Sequence, residues 1–139
     1  MPLTLTLSEG VLPEGQENVA FARLCEAMIE WHRLTGNKAL TPNITGTVHV
    51  LPRNRVFSGM RPTPAVFIEW KKVPSFAFVD RRAQVGYFGE ATKIIHEMSG
   101  GKLAKENIYI NVVHAVDGAW NFGGEALTNA EMGEEIAKG

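Results

Sequence analysis

The sequence predicts an α/β domain: two β-α-β units whose strands form a four-stranded mixed sheet with both helices on one face. Three observations carry this expectation. Leu3, Leu5 and Leu7 alternate with Thr4 and Thr6; two stretches, about residues 14–35 and 75–99, repeat apolar residues at helical spacing; and a strand-like run follows each of them. The length of 139 residues, 45% of them apolar, suits one core. A single domain is therefore expected, with units at about 2–51 and 64–113 and a C-terminal tail over 117–139.

The leucine–threonine alternation has the period of two of a strand with one buried face, and Gly10 and Pro13 end it. In the first helix Phe21, Leu24, Cys25, Met28, Trp31 and His32 form the inner stripe, and Gly36 supplies a stop. Residues 44–51 are rich in β-branched side chains and predict a second strand, closed by Pro52-Arg53-Asn54-Arg55, with Val56-Phe57-Ser58 as a short hairpin arm. The second unit repeats the order. A buried strand over 65–70 leads into a loop holding Lys71, Lys72 and Pro74, then a helix with Val85, Phe88, Ile95 and Met98 inward, stopped by Gly100 and Gly101. Residues 108–113 form the last main strand, with Tyr109 and Asn111 on one face. The tail ends in a short helix from about Asn129, expected against a neighbouring subunit.

Crossovers of this length imply parallel pairing within each half. With both helices on one sheet face, the other face needs a cover, which a homo-oligomer would supply. The net charge of −1, from 14 basic and 15 acidic side chains, gives no global field to recruit nucleic acid or an anionic membrane. The single cysteine, Cys25, lies on the apolar stripe and predicts a buried, reduced thiol. The opening MPLTLTLSEG has neither a basic region nor a continuous apolar run, so a signal peptide or membrane span is not expected and the cytoplasm is the default location.

Chemistry concentrates on a few residues. With Met1 removed, Pro2 would carry a basic secondary amine in place of an amide; α-amines titrate near pH ~8, and burial lowers them towards neutrality, the range of a general base. His32, near the end of the first helix, is either a hydrogen-bonded core residue or a donor to a substrate oxygen. Lys71, Lys72, Arg81 and Arg82 surround the loop after the third strand, where an anionic ligand could bind. Glu69, inside an apolar strand, needs a partner among these cations, and Asn111 could hydrogen-bond either a ligand or a neighbouring subunit. No zinc spacing, phosphate loop, dinucleotide fingerprint or serine elbow is present, and His49, His96 and His114 are too dispersed to argue for a metal.

Pro2 with its strand, Trp31-His32-Arg33-Leu34-Thr35-Gly36 and Arg55-Val56-Phe57-Ser58-Gly59 resemble the cis-3-chloroacrylic acid dehalogenase group of the tautomerase superfamily. Tyr109-Ile110-Asn111 is similar to the corresponding strand of the macrophage migration inhibitory factor group. Asp117-Gly118-Ala119-Trp120-Asn121-Phe122-Gly123 is similar to a segment of malonate semialdehyde decarboxylase. The resemblance implies a homotrimer with sites between subunits, no cofactor and no metal. In it the Pro2 amine moves a proton on a small 2-oxo acid or its enol, or activates water, and His32 takes the place of the family's helical histidine.

The sequence departs from the dehalogenase pattern at the substrate-holding groups. The two arginines expected after the third strand fall at Val73 and Phe76, leaving Lys71 and Lys72 as substitutes; the last-strand tyrosine aligns with Asn111 and the tail acid with Asn121. Without that acid, activation of water is disfavoured and keto–enol tautomerisation is favoured, with Pro2 and His32 catalytic. Lys71, Lys72, Asn111, Trp120, Asn121 and Phe122 are then expected around the substrate, the two aromatic rings as an apolar wall. The alternatives are a decarboxylase or a hydratase/dehalogenase of a small acid, or a non-catalytic trimeric binding protein.

Overall fold

The computed structural model describes residues 1–72 and 80–139. Strand β1 (Pro2–Ser8) leads into helix α1 (Glu17–Trp31) and strand β2 (Thr45–Leu51); a small hairpin, β3 (Phe57–Ser58) and β4 (Arg61–Pro62), then connects to β5 (Val66–Lys72), α2 (Arg81–Met98) and β6 (Ile108–His114). The main sheet has the order β2-β1-β5-β6. β1 runs parallel to β2 and β5 parallel to β6, while the two central strands are antiparallel. This is the expected mixed sheet, and α1 packs against α2 over it.

The leucines dictate the layering. Leu3, Leu5 and Leu7 of β1 and Val66, Ile68 and Trp70 of β5 are completely or almost completely buried, and Ala20, Leu24 and Met28 of α1 with Tyr87, Ala91 and Ile95 of α2 close over them. Each such large side chain contributes roughly 1.5–3 kcal/mol on burial, so this single layer outweighs any individual polar contact. Trp70 Nε1 donates to the Tyr87 hydroxyl at 2.7 Å, which satisfies both buried polar atoms. Cys25 is buried and free, and burial pushes its thiol up to about 12. Gly46 lets β2 close on β1, since a Cβ there would lie 2.0 Å from the Leu3 carbonyl oxygen.

Several boundaries differ from expectation. α1 stops at Trp31, well short of Gly36, because the chain closes a Schellman motif there: Arg33 N–H donates to the Glu30 carbonyl, Leu34 N–H donates to the Ile29 carbonyl, and Arg33 takes φ 56°. Trp31, placed inward by its spacing, is 43% exposed and lies across α2 at Gly86, where a Cβ would meet its ring. Val85 likewise faces out, and the inner stripe of α2 is Ala83, Tyr87, Ala91, Ile94 and Ile95. Asp80 caps α2, its side chain accepting from Arg82 N–H at 2.9 Å. The expected helix start near Ser75, the loop position Pro74 and the positions Val73 and Phe76 lie outside the described residues.

Lys71 and Lys72 belong to β5 and not to a loop, because the β5–β6 ladder continues through Lys72 opposite His114. Glu69 is exposed on the uncovered face, so water and not a buried cation meets its charge. The tail forms a hairpin, β7 (Trp120–Phe122) and β8 (Glu125–Leu127), turned by Gly123 and Gly124, both at positive φ. Helix α3 (Asn129–Ala137) follows, begun by a Thr128–Glu131 capping box. It buries Met132 and Ile136 on its own chain, where Asn37 Nδ2 donates to the Ile136 carbonyl.

Candidate active site

One end of the sheet gathers the titratable groups. Leu3 stands opposite Trp70 across the antiparallel centre, so the start of β1 lies beside the end of β5; Thr45, the first residue of β2, pairs with Pro2, and Lys72 pairs with His114. Strand alternation decides which side chains meet. Lys72 continues the inward series Val66, Ile68, Trp70 and is 1% exposed, and His114 has the parity of Ile108, Ile110 and Val112. Thr4, Glu69, Lys71 and Asn111 have the opposite parity and share the uncovered face.

The Schellman turn that ends α1 fixes His32 at the helix C-cap, 8% exposed. Its Nδ1 lies 2.8 Å from the Met28 carbonyl oxygen. A carbonyl can only accept, so the imidazole proton is assigned to Nδ1. Burial, and then the neighbouring Lys72 charge, lower the His32 pKa and keep the ring neutral. Its Nε2 lone pair therefore accepts from Lys72 Nζ, 3.5 Å away. Lys72 is lowered to about 8 by burial, and its ammonium lies 6.0 Å from the centre of the Tyr87 ring. The positive charge of this corner resides on Lys72, with His32 behind it.

Met1 precedes Pro2 and is itself buried, 4% exposed, with its amine donating to the Asn43 carbonyl. Burial lowers that amine to about 6. The nitrogen of Pro2 in the Met1-bearing chain is an amide and has no basicity; removal of Met1 would make it the amine of this sheet end.

The other expected site residues are dispersed. Lys71 and Asn111 are exposed on the uncovered face. Trp120 and Phe122 are half-buried against the core, while Asn121, between them, is exposed and its Oδ1 accepts from Gly124 N–H at 3.1 Å. Arg81 and Arg82 are exposed in the first turn of α2. His114 belongs to the sheet end by register, although its sequence context marked it only as an unpromising metal ligand. Extending the alternation of Ile108, Ile110 and Val112 by one step is the signal that finds it. No cluster of three potential metal ligands exists among the described residues.

A groove of about 1190 Å³ runs between α1 and α2, lined by charged residues such as Arg23, Glu26, Glu30, Arg33, Asp80, Arg82 and Glu90, and by His32. Neither Pro2 nor Lys72 lines it. Its mixed-sign charges face water, where ion pairs are weak, whereas the sheet end holds its polar groups away from water, where each counts for more. The sheet end is therefore the stronger candidate site.

No protein-family model and no curated protein matches the sequence. Solved structures do match its fold. Native fused 4-OT aligns with a TM-score of 0.73 at 13% identity, over 96% of this chain and 99% of that one. A malonate semialdehyde decarboxylase aligns at 0.67 and 16% identity, over 96% and 98%, and N1, a member of the cis-3-chloroacrylic acid dehalogenase family, at 0.65 and 12%, over 99% of each. The chain thus has the fold of the tautomerase superfamily.

Proposed function

We propose that this protein is a cofactor-independent tautomerase of a small 2-oxo acid or its enol. After loss of Met1, Pro2 is the general acid/base. Lys72, oriented by His32, receives the carboxylate or the developing enolate oxygen. The observation that supports the reading is that the start of β1, where Pro2 stands, lies beside the end of β5, which carries the buried Lys72–His32 pair. Two further facts support it. Burial lowers the Met1 amine to about 6, and a Pro2 amine exposed one residue further along the same strand would be favoured as the free base for the same reason, able to take the proton from carbon and return it elsewhere. Met1 also occupies buried volume that its departure would open to a ligand. A cation fixed in a poorly hydrated corner stabilises an enolate without reorganising at the moment of reaction.

Lys71 and Asn111 on the uncovered face, with the Trp120 and Phe122 rings, would complete the site in a homotrimer. Structures of fused 4-OT proteins of this fold are described as symmetric trimers. Among the described residues no helix is long and apolar enough to cross a membrane. Dehalogenation and hydration fit less well, because Asn121 is spent on the hairpin turn and supplies no acid for activating water. The second reading is decarboxylation of a 3-oxo acid, favoured by the Trp120–Phe122 hairpin and by the decarboxylase of the same fold.

The test begins with the intact mass of the protein as produced in its own cells, which should show Met1 absent; a chain that keeps Met1 would leave the fold as a binding module. Ketonisation of phenylenolpyruvate should then occur and be lost in Pro2→Ala, and unchanged activity in that variant would remove Pro2 from the mechanism. Carbon dioxide release from malonate semialdehyde distinguishes the decarboxylase. Another protein of this fold, Pt0534, is described as inactivated by 2-oxo-3-pentynoate, which makes this compound a direct probe of whether Pro2 is the residue modified here.

A further inference from the structure

His114 ends β6 directly opposite Lys72, and the carbonyl of Lys72 accepts from Ala115 N–H at 2.8 Å, so the two strands are still locked together at this rung. Both side chains leave the sheet on the helix-covered side. Among the described residues, His114 Nδ1 is the one buried side-chain polar atom without a hydrogen-bond partner. The contrast with the other imidazoles is sharp: His32 Nδ1 is bonded to the Met28 carbonyl, His96 Nδ1 to the Leu103 carbonyl at 2.8 Å, and His49 Nε2 to Thr47 Oγ1 at 2.9 Å. A buried ring nitrogen with nothing to bond forfeits its hydration without return, and such atoms are rare unless a ligand supplies the missing partner.

We propose that His114 is a substrate-binding residue of the sheet-end site, its Nδ1 hydrogen-bonded to a carboxylate or enol oxygen of the acid that Lys72 attracts. This rests on the proposed tautomerase reading for the identity of the ligand, and it gives that site a second polar contact where the arginine pair of the dehalogenase pattern is missing. Geometry restricts the pairing: one oxygen-bearing group can face Lys72 and His114 together because adjacent parallel strands place their side chains side by side. Nδ1 can meet a carboxylate as a donor or an enol hydroxyl as an acceptor, so one imidazole serves both ends of a keto–enol interconversion by changing tautomer. The group thus adds specificity for a small acid with oxygen on neighbouring carbons, and proton transfer to and from carbon stays with Pro2.

The experiment is a titration of the Met1-free protein with phenylpyruvate, read by the ring ¹⁵N signals of His114 and by affinity. The His114 Nδ1 signal should move on saturation while that of His96, whose Nδ1 is already bonded, stays in place. His114→Phe should weaken binding by about tenfold or more, the scale of one hydrogen bond to a charged group. His114→Asn, which keeps an amide near the Nδ1 position, should recover most of the loss. An unmoved His114 signal with unaltered affinity in His114→Phe overturns the assignment, as does equal loss in both variants. The same titration in Pro2→Ala separates the two claims. Binding that persists there with His114 still responding upholds this site even if Pro2 proves dispensable for turnover, and activity that needs Pro2 with a silent His114 upholds the tautomerase and overturns this inference.

Discussion

The two ends of the same sheet are built on opposite terms. At one end, where the start of β1 meets the ends of β5 and β6, Lys72 is turned inward against His32, His114 stands opposite Lys72 by register, and burial lowers the pKa of both His32 and Lys72. At the other, Ser8 is equally buried but fully satisfied: its Oγ accepts from Ala65 N–H at 3.0 Å, and its N–H donates to the Ala65 carbonyl at 3.1 Å. One end holds polar groups at a cost to stability, and the other closes the central strand pair. Reactive groups are tolerated at the first because the second, together with the leucine core, supplies the stability.

The largest effect should come from the amine. Pro2→Ala is expected to lower ketonisation by at least ~100-fold, the range of a lost general acid/base, with the far-ultraviolet circular dichroism unchanged. Lys72→Met comes next, because it inverts the comparison. Below about pH 8 the Lys72 ammonium is charged in both native and unfolded states and its burial penalty is felt in full. Between about 8 and 10.5 the native protein has released the proton that the unfolded chain still binds, so stability rises with pH across that window. Lys72→Met should therefore add stability at pH 7, on the order of 3 kcal/mol, while abolishing substrate binding, and should flatten the rise towards pH 10. Urea unfolding at both pH values checks this, and a variant no more stable than its parent would show that the ammonium carries no penalty.

A smaller change, at the opposite end, should behave the other way round. Ser8→Ala leaves Ala65 N–H without its partner and should lose about 1–2 kcal/mol of stability with kcat/KM intact, measured by thermal unfolding and phenylenolpyruvate turnover. Smallest is Arg33→Gly: φ 56° suits glycine, so the Schellman turn should gain up to about 1 kcal/mol in melting experiments. Activity must survive that change if His32 is held by the Met28 carbonyl and Lys72 and not by strain in the turn.

Much of the fold was legible because alternation and helical spacing are local: Leu3, Leu5 and Leu7, the hairpin arm at Phe57 and the helix start at Asn129 all stand where their neighbours in sequence place them. The hairpin at Trp120 left a signal in Gly123-Gly124, a two-residue turn between short extended runs, that composition obscured. The early stop of α1 left none, since an arginine in the left-handed region is not a propensity but a consequence of closing the turn.

By itself the sequence determined the order of elements and singled out Pro2, His32 and the Lys71–Lys72 pair, because the periodicity of apolar residues and the chemistry of an N-terminal proline depend on the chain alone. Tertiary structure decided which groups share a corner. The antiparallel register of β1 with β5 sets Pro2 beside the end of β5, the parallel register of β6 sets His114 against Lys72, and the turn after α1 directs the His32 lone pair to that lysine. These pairings join residues about 40 or more positions apart, and no local pattern encodes them, because register is fixed only when both buried faces close on one core.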